Sequence, residues 1–357
     1  MLRKYLSQEN IESKDNALVP LRYVGPLKLN NQIDEDQIFV PLATYESPLW
    51  PSVDRGFRVT RKCGGIGVWH QGQIMSRSFI LNAASTSKAI EYKNKISLLD
   101  LTAAISSTSR FAKQKDIYIE TMGRHIFVRL TLETGDAAGH NMVTKAANAA
   151  LSYILEQYKE LEYGSISGNL CTDKKVSAIN SIYGRGHNVI ANAIIPAKIC
   201  QRMIRVTPER LKQLHLEKNL IGSMLAGSLR SANAHIANML LAFYLATGQD
   251  AANIVEGSQS ITDCNVTRDG SLEITCHIPN LIVGTIGNGK DLAHVWQGLE
   301  KMGCLPDGQS PGQSSARLAM ICAATCLAGE LSLLAAQTNE GELIHSHEVL
   351  ERQSKNR

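Results

Sequence analysis

A long apolar run near the carboxyl end is the feature that most constrains the fold of this chain of 357 residues. Residues 318–336 are almost all apolar, and Gly329 and Glu330 interrupt them. The run is close in length to a membrane span, but it is rich in Ala and Cys and contains a carboxylate. We therefore predict a helix buried in a large core, not a membrane span.

Composition narrows the class of protein. The chain is 44% apolar and 20% charged, which is ordinary for a globular protein, and it is long enough for two or more domains. The net charge of +4 is too small to indicate nucleic-acid binding. Residues 1–14 lack the apolar segment of a signal peptide. These features predict a cytoplasmic protein that binds neither nucleic acid nor membrane.

The eight cysteines are scattered from Cys63 to Cys326. They form neither a Cys-x-x-Cys pair nor a tight cluster with histidine, so we predict no metal site. Free thiols in a reducing cytosol are the expectation.

Hydrophobic periodicity indicates an α+β protein in which residues 79–165 form a unit of their own. A helix-like stretch over 98–112 precedes two predicted strands, 117–120 and 125–134, and a long amphipathic helix follows. This order fits a small α+β domain and not a Rossmann series. We assign the remaining residues, 1–78 and 166–357, to a larger domain. Its predicted strands and helices cover residues 19–27, 38–44, 189–196, 232–247, 271–278, 280–283 and 292–302.

The loop over residues 167–180 carries Asp173, Lys174 and Lys175 between a Ser-Gly-Asn turn and an apolar restart. Such charges are typical of a solvated surface loop. A lysine drawn toward a partly buried place beside a carboxylate is also a common catalytic device, since it can meet a developing oxyanion. The loop by itself leaves both interpretations open.

Three glycine-bearing segments carry a similar ambiguity. They span residues 63–67, 135–142 and 284–290. Each can be a tight turn or a backbone cradle for an anion. None has the G-x-G-x-x-G or the Walker spacing.

These segments, taken in order, resemble one family. Residues 135–142, 167–180, 247–252, 284–289 and 328–333 are similar to the motifs of 3-hydroxy-3-methylglutaryl-coenzyme A (HMG-CoA) reductase, and the Thr-Asp-Lys-Lys loop resembles its class I form. The resemblance implies a large mixed domain with an inserted, ferredoxin-like NADP-binding domain. It also implies that HMG-CoA is reduced in two NADPH-dependent steps to mevalonate and coenzyme A. Homodimers or homotetramers with sites at the dimer interface are implied as well.

The resemblance assigns catalytic roles to Glu46, Lys174, Asp250 and His347. Lys174 neutralises the oxyanion that forms when the thioester is reduced. His347 protonates the coenzyme A thiolate. Glu46, with Asp250 as its neighbour, supplies the proton for the second reduction.

The same resemblance implies two sets of binding residues. The substrate-binding residues are Arg77, Ser167, Asp173, Lys175, Lys218 and Asn238. The cofactor-binding residues are Ser109, Arg110, Asp136, Gly139, Asn141 and Met142, of which the first two match the pair near the 2′-phosphate.

The chain departs from the family pattern around the cofactor. Ala138 and His140 stand where methionines are usual, and Asn288 and Lys290 alter a glycine-rich motif. Two alternatives remain, and these departures motivate the first. One is a reductase of the same fold that prefers NADH or another acyl-coenzyme A. The other is a coenzyme A-binding homologue without catalysis.

Overall fold

The structure is a computed structural model that describes residues 17–30, 37–345 and 348–349. The strands are β1 Leu21–Leu27, β2 Ile38–Ala43, β3 Gly67–Asn82, β4 Lys113–Met122, β5 His125–Glu133, β6 Glu162–Ser165, β7 Gly186–Ile195, β8 Ile261–Val266 and β9 Leu272–Leu281. The α-helices are α1 Leu49–Lys62, α2 Thr86–Ser97, α3 Thr102–Ser106, α4 His140–Gln157, α5 Ala178–Tyr183, α6 Ala197–Ile199, α7 Pro208–Leu214, α8 Ser223–Leu225, α9 Ile236–Ala246, α10 Ile254–Gly257, α11 Ala293–Lys301 and α12 Gln313–Thr338. Two π-helical segments, Cys200–Ile204 and His215–Gly222, and a 3-10 turn, Ala251–Asn253, lie between them.

The predicted mixed helix and sheet fold is confirmed. Strands β1 and β2 form an antiparallel hairpin. Seven strands form a second antiparallel sheet in the order β4-β5-β3-β7-β9-β8, with β6 paired to the end of β3.

Strand β3 links the two halves of this sheet. It pairs with β7 over residues 67–74 and with β5 over residues 75–82. Its first half contributes Val68 to one hydrophobic core, and its second half contributes Met75, Phe79 and Leu81 to another. The sequence analysis did not predict this strand. A bulge between His70 and Gly72 shifts the alternation of buried and exposed side chains, so no single period-two pattern spans it.

Helix α12 passes through the larger core, as the apolar run predicted. In its most apolar window, 89% of the helix is buried inside the molecule. The one carboxylate on this helix, that of Glu330, accepts hydrogen bonds at 2.7 Å from the backbone N–H groups of Ala234 and His235, and one at 3.0 Å from Thr262 Oγ1. A buried charge is tolerated where donors satisfy it in this way.

Other predicted elements differ in extent. The helix-like stretch over 98–112 contains only the five-residue α3, because turns follow it. Strand β8 was not predicted, and the two predicted strands after it are one continuous β9. In the segment before α9, Met224 and Leu225 are 79% and 86% exposed.

Helices α1 and α12 cross so closely that Gly56 has no room for a side chain. A Cβ at Gly56 would lie 2.1 Å from the carbonyl oxygen of Ala328. We expect Gly56→Ala to lower the free energy of unfolding by about 1–3 kcal/mol, since rigid backbone must move. Urea denaturation followed by circular dichroism measures this change.

Gly222→Ala is the matched control, because its Cβ would meet no atom closer than 3.4 Å. It should be neutral, or stabilising by up to about 1 kcal/mol through helix propensity. Equal effects of the two substitutions would contradict the packing argument.

Candidate active site

The loop from Ser167 to Asn180 has a strained backbone that several hydrogen bonds hold in place. Thr172 and Lys174 adopt left-handed conformations, with φ of 44° and 55°. Each such residue costs of order 1–3 kcal/mol, so the surroundings must support it. Ser78 Oγ accepts from the Cys171 N–H at 3.1 Å, and Asn180 Nδ2 donates to the Thr172 carbonyl at 3.1 Å.

This conformation brings Lys174 to Asp250. The Lys174 Nζ lies 2.7 Å from Asp250 Oδ2, and the two side chains remain 40% and 45% exposed. The hydrogen bond that the Lys174 ammonium donates to Asp250 raises the pKa of Lys174. Burial acts to raise the pKa of Asp250, but hydrogen bonds from Lys174 and the Ala252 N–H outweigh it and leave the pKa lowered. Both groups are therefore charged at neutral pH.

A buried ion pair, which the sequence analysis did not predict, supports the loop from Ser167 to Asn180. Arg185 and Glu256 are 1% and 0% exposed, and their side chains meet at 2.9 Å. Glu256 Oε1 also accepts the backbone N–H of Lys174 at 2.5 Å. Arg185 reaches Asp173 at 2.8 Å with its other terminal nitrogen. Burial raises the pKa of Glu256, although these contacts act against the shift.

One cavity of about 540 Å³ brings together two predicted catalytic residues, Lys174 and Asp250, and three predicted cofactor residues, Gly139, Asn141 and Met142. Asp173, Lys174 and Asp250 line one part of it, and Arg77 lies beside them with a guanidinium nitrogen 3.8 Å from Asp173. The opposing residues are Ala137, Ala138, Gly139, His140, Asn141, Met142, Ile286, Gly287, Asn288 and Lys290. The cavity thus joins charged side chains to two glycine-bearing loops, an arrangement that suits a polar, anionic ligand.

The polar groups around this cavity are compatible with the binding of a dinucleotide cofactor. His140 Nε2 is buried and has no hydrogen-bond partner within the described residues. Burial, and then the charge of Arg185, lowers the pKa of His140, so its imidazole is neutral at pH 7. A Cβ at Gly287, which has φ of 104°, would meet no atom within 4 Å. The ring nitrogen lies 3.8 Å from Asp173 Oδ1, and the open backbone of Gly287 leaves room for the polar face of a ligand.

Asp136 has a different role from its neighbours in this loop. Its two carboxylate oxygens accept the backbone N–H groups of Gly312 and Ser315 at 2.9 and 3.0 Å, at the start of α12. Its side chain therefore caps that helix. Gly139 begins α4 with φ of 96°, and a Cβ there would lie 2.6 Å from Thr134.

Glu46 lies elsewhere. It lines a second cavity of about 450 Å³ and accepts a hydrogen bond from Asn238 Nδ2 at 3.0 Å. The sequence analysis expected Glu46 beside Asp250, whereas within one chain these two carboxylates line different cavities.

The remaining predicted residues do not line the first cavity. Ser167 and Lys175 are exposed on the loop from Ser167 to Asn180, and Lys175 Nζ donates to the Asp173 carbonyl at 3.0 Å. Lys218 binds Asn219 at 3.2 Å in a π-helical segment, and burial lowers the pKa of its ammonium. His347 lies outside the described residues.

The proposed 2′-phosphate pair sits in the turn before β4. Arg110 is exposed and lies 4.7 Å above the ring of Phe111, while Ser109 Oγ accepts the Phe111 N–H at 3.2 Å. Arg110 is accordingly free to reach a solvent-facing anion.

Comparisons with known proteins agree with these features. A family model described as hydroxymethylglutaryl-coenzyme A reductase matches residues 6–352. The 3-hydroxy-3-methylglutaryl-coenzyme A reductase of Pyrococcus horikoshii is 38% identical, over 96% of this chain and 84% of that protein. The protein of that name from Phycomyces blakesleeanus is 40% identical, over 92% of this chain and 28% of its own length.

A solved structure has the same fold. It is described as the class II 3-hydroxy-3-methylglutaryl-CoA reductase from Streptococcus pneumoniae bound to NADPH, in open conformations. It matches with a TM-score of 0.71 at 17% identity, over 95% of this chain and 89% of that one.

The buried pair makes the conformation of the loop from Ser167 to Asn180 sensitive to Glu256. We expect Glu256→Ala to lower the free energy of unfolding by about 3–5 kcal/mol, because Arg185 loses a buried partner and the Lys174 N–H loses its acceptor. Chemical denaturation measures the effect. Glu300→Ala, at an exposed position on α11, is the control and should change stability by no more than about 0.5 kcal/mol. A Glu256 variant as stable as the control would show that the ion pair does not hold the loop.

Proposed function

The chain belongs to the hydroxymethylglutaryl-coenzyme A reductase family, and we propose that it reduces HMG-CoA to mevalonate and free coenzyme A. The reaction consumes two NADPH and two protons. The thioester carbon gains one hydride and loses the thiolate, and the resulting aldehyde gains a second hydride and a proton.

The observation that carries this proposal is the contact between Lys174 and Asp250 at 2.7 Å in a cavity shared with the glycine-bearing loops. A charged ammonium fixed in place before the reaction can stabilise an oxyanion without reorganising. Glu256 holds the backbone N–H of Lys174, while the Lys174 side chain remains accessible to substrate.

NADPH supplies the two hydrides when it is bound. The residues that would hold it are Gly139, Asn141 and Met142 on the cavity wall, with Asp136 tying their loop to Thr285 and to the start of α12. Ser109 and Arg110 would bind the 2′-phosphate, and Arg110 would favour NADPH over NADH.

Substrate binding and proton transfer fall to other side chains. Arg77 beside Asp173 would hold the hydroxymethylglutaryl carboxylate with Ser167, Lys175, Lys218 and Asn238 around it. The His347 imidazolium would protonate the departing thiolate. Glu46 would donate the proton that the alkoxide needs after the second reduction.

We propose that two copies of the chain complete each site. Lys174 and Asp250 line one cavity of a chain, and Glu46 and Asn238 line another. A carboxylic acid must come within hydrogen-bonding distance of the alkoxide it protonates, directly or through water. An interface that places the Glu46 cavity of one protomer over the Lys174 cavity of its partner would satisfy this, so we propose a homodimer or a pair of dimers.

Three finer assignments belong with this proposal. The Asp-Lys-Lys loop and the archaeal and fungal relatives near 40% identity support the class I form. The smaller core, formed by residues between Met75 and Leu161 together with Ile282, supports a cofactor domain over residues 79–165. The eight free cysteines support a cytoplasmic location.

Purified protein should oxidise two NADPH for each mevalonate formed from HMG-CoA. Lys174→Met should lower kcat by about 10²–10³-fold or more, because a preorganised oxyanion partner is lost. Loss of NADPH absorbance and chromatography of mevalonate measure both. Lys159→Met, at an exposed position on the short turn after α4, should retain full activity. The proposed reaction would be refuted if wild-type protein oxidised neither NADPH nor NADH when HMG-CoA is added.

Mixing two inactive variants tests the shared site. Co-expression of Glu46→Gln and Lys174→Met should restore roughly a quarter of wild-type activity, because half of randomly formed dimers are mixed and each contains one unaltered site. The matched control is co-expression of Lys174→Met with Asp250→Asn. Both changes fall in the same cavity, so no activity should return. Failure of the first pair alone would place Glu46 and Lys174 in one protomer.

A further inference from the structure

Lys290 lies in the loop between β9 and α11 and lines the same cavity as Lys174 and Asp250. Its ammonium donates a hydrogen bond to the carbonyl of Gly248. Burial lowers the pKa of Lys290 to about 8. The mechanism proposed above does not use this side chain.

The other charged groups around the cavity are balanced by partners. Lys174 pairs with Asp250, and Asp173 pairs with Arg185 at 2.8 Å and faces Arg77 at 3.8 Å. No carboxylate within the described part of the chain forms an ion pair with Lys290. An ammonium has three N–H donors, and the Gly248 carbonyl takes one of them. Lys290 is therefore the cation of this cavity that still lacks an anion.

The surroundings of Lys290 favour a phosphate over a carboxylate. Its loop is joined to the loop before α4, because the Thr285 N–H binds the Asp136 carbonyl at 2.9 Å and Ala137 bridges to Ile286. Gly287 and Gly289 precede Lys290 with φ of 104° and 82° and expose their backbone. Two glycine-bearing loops on one wall suit the extended, multiply charged diphosphate of a dinucleotide better than a single carboxylate.

We propose that Lys290 binds the diphosphate of the nicotinamide cofactor and that cofactor affinity falls when this side chain loses its charge. This inference rests on the proposed function, since it takes NADPH as the ligand of the cavity. Binding of the dianion favours the charged ammonium and so raises its pKa. Lys290 must therefore take up a proton when the cofactor binds at a pH above the pKa that Lys290 has in the free protein.

Several neighbouring groups face the same cavity. They are Arg77, His140, Asp173, Lys174 and Asp250, with Asp291 next in the chain. The pKa of Lys174 is raised and that of Asp250 is lowered, so neither changes charge between pH 7 and 9. His140 has a lowered pKa and stays neutral in that range. Proton uptake in this window consequently reports on Lys290.

Isothermal titration calorimetry of NADPH into the full-length oligomer, without substrate, tests the inference. Wild-type affinity should fall by up to about tenfold per pH unit above pH 8. Titrations in two buffers with different ionisation heats should show proton uptake over the same range. Lys290→Gln should weaken NADPH binding by about 10- to 100-fold near pH 7 and abolish the uptake.

Lys290→Arg keeps a charge that does not titrate below about pH 12. It should bind NADPH with no proton uptake and with an affinity independent of pH up to 9. Lys159→Gln should behave as wild type. Gel filtration of each variant shows whether the oligomer is intact, and the Arg variant keeps the test decisive if the Gln variant does not fold.

Three results would overturn the inference. One is unchanged NADPH affinity in Lys290→Gln. Another is proton uptake that persists in Lys290→Arg. The third is weakened binding of HMG-CoA or free 3-hydroxy-3-methylglutarate with NADPH binding unaffected, which would assign Lys290 to the substrate carboxylate. Mevalonate formation by wild-type protein is measured in parallel, so that a cofactor-binding protein without turnover refutes the proposed function and leaves the role of Lys290 standing.

Discussion

The ion pair between Arg185 and Glu256 is the interaction on which the arrangement of the site depends. Both side chains are almost completely buried, so each would be costly without the other. One carboxylate oxygen receives both the Arg185 guanidinium and the Lys174 N–H. The start of β7, helix α10 and the loop from Ser167 to Asn180 therefore meet at a single buried charge. This support compensates for the left-handed backbone that turns Lys174 toward Asp250.

The contacts of Lys174 fix its backbone but leave its side chain accessible. The backbone of Lys174 is tied to a carboxylate with no exposure, whereas its ammonium and Asp250 remain 40% and 45% exposed. Burying the whole lysine would favour its neutral form. Without support for the loop, the Lys174 ammonium would have no fixed position. A fixed backbone with an accessible head group gives a charged donor whose position is set before the reaction begins.

The sequence predicted features that have a local signal and missed those that depend on distant partners. Helix α12 was evident from its continuous apolar run, and β5 from its alternation. Strand β3 was hidden by its bulge. Arg185 and Glu256 are 71 residues apart and carry no spacing signal. The only local signs that they are buried were that Arg185 lies between two glycines and that Glu256 follows an Ile-Val pair. The family resemblance located Lys174 and Asp250, while their separation from Glu46 appeared only in three dimensions.

The turn after α9 connects Lys174 on one side of the cavity to Lys290 on the other. Gln249 binds both the N–H and the carbonyl of Gly284 at 3.0 Å, which fixes this turn against the glycine-bearing loop before α11. From the same turn, Gly248 holds Lys290 and Asp250 holds Lys174. Gly248 has φ of 63°, and a Cβ there would lie 2.4 Å from the Gly289 carbonyl, so a larger residue would force these loops apart. The two cations thus share one support, and a shift of this turn would move both.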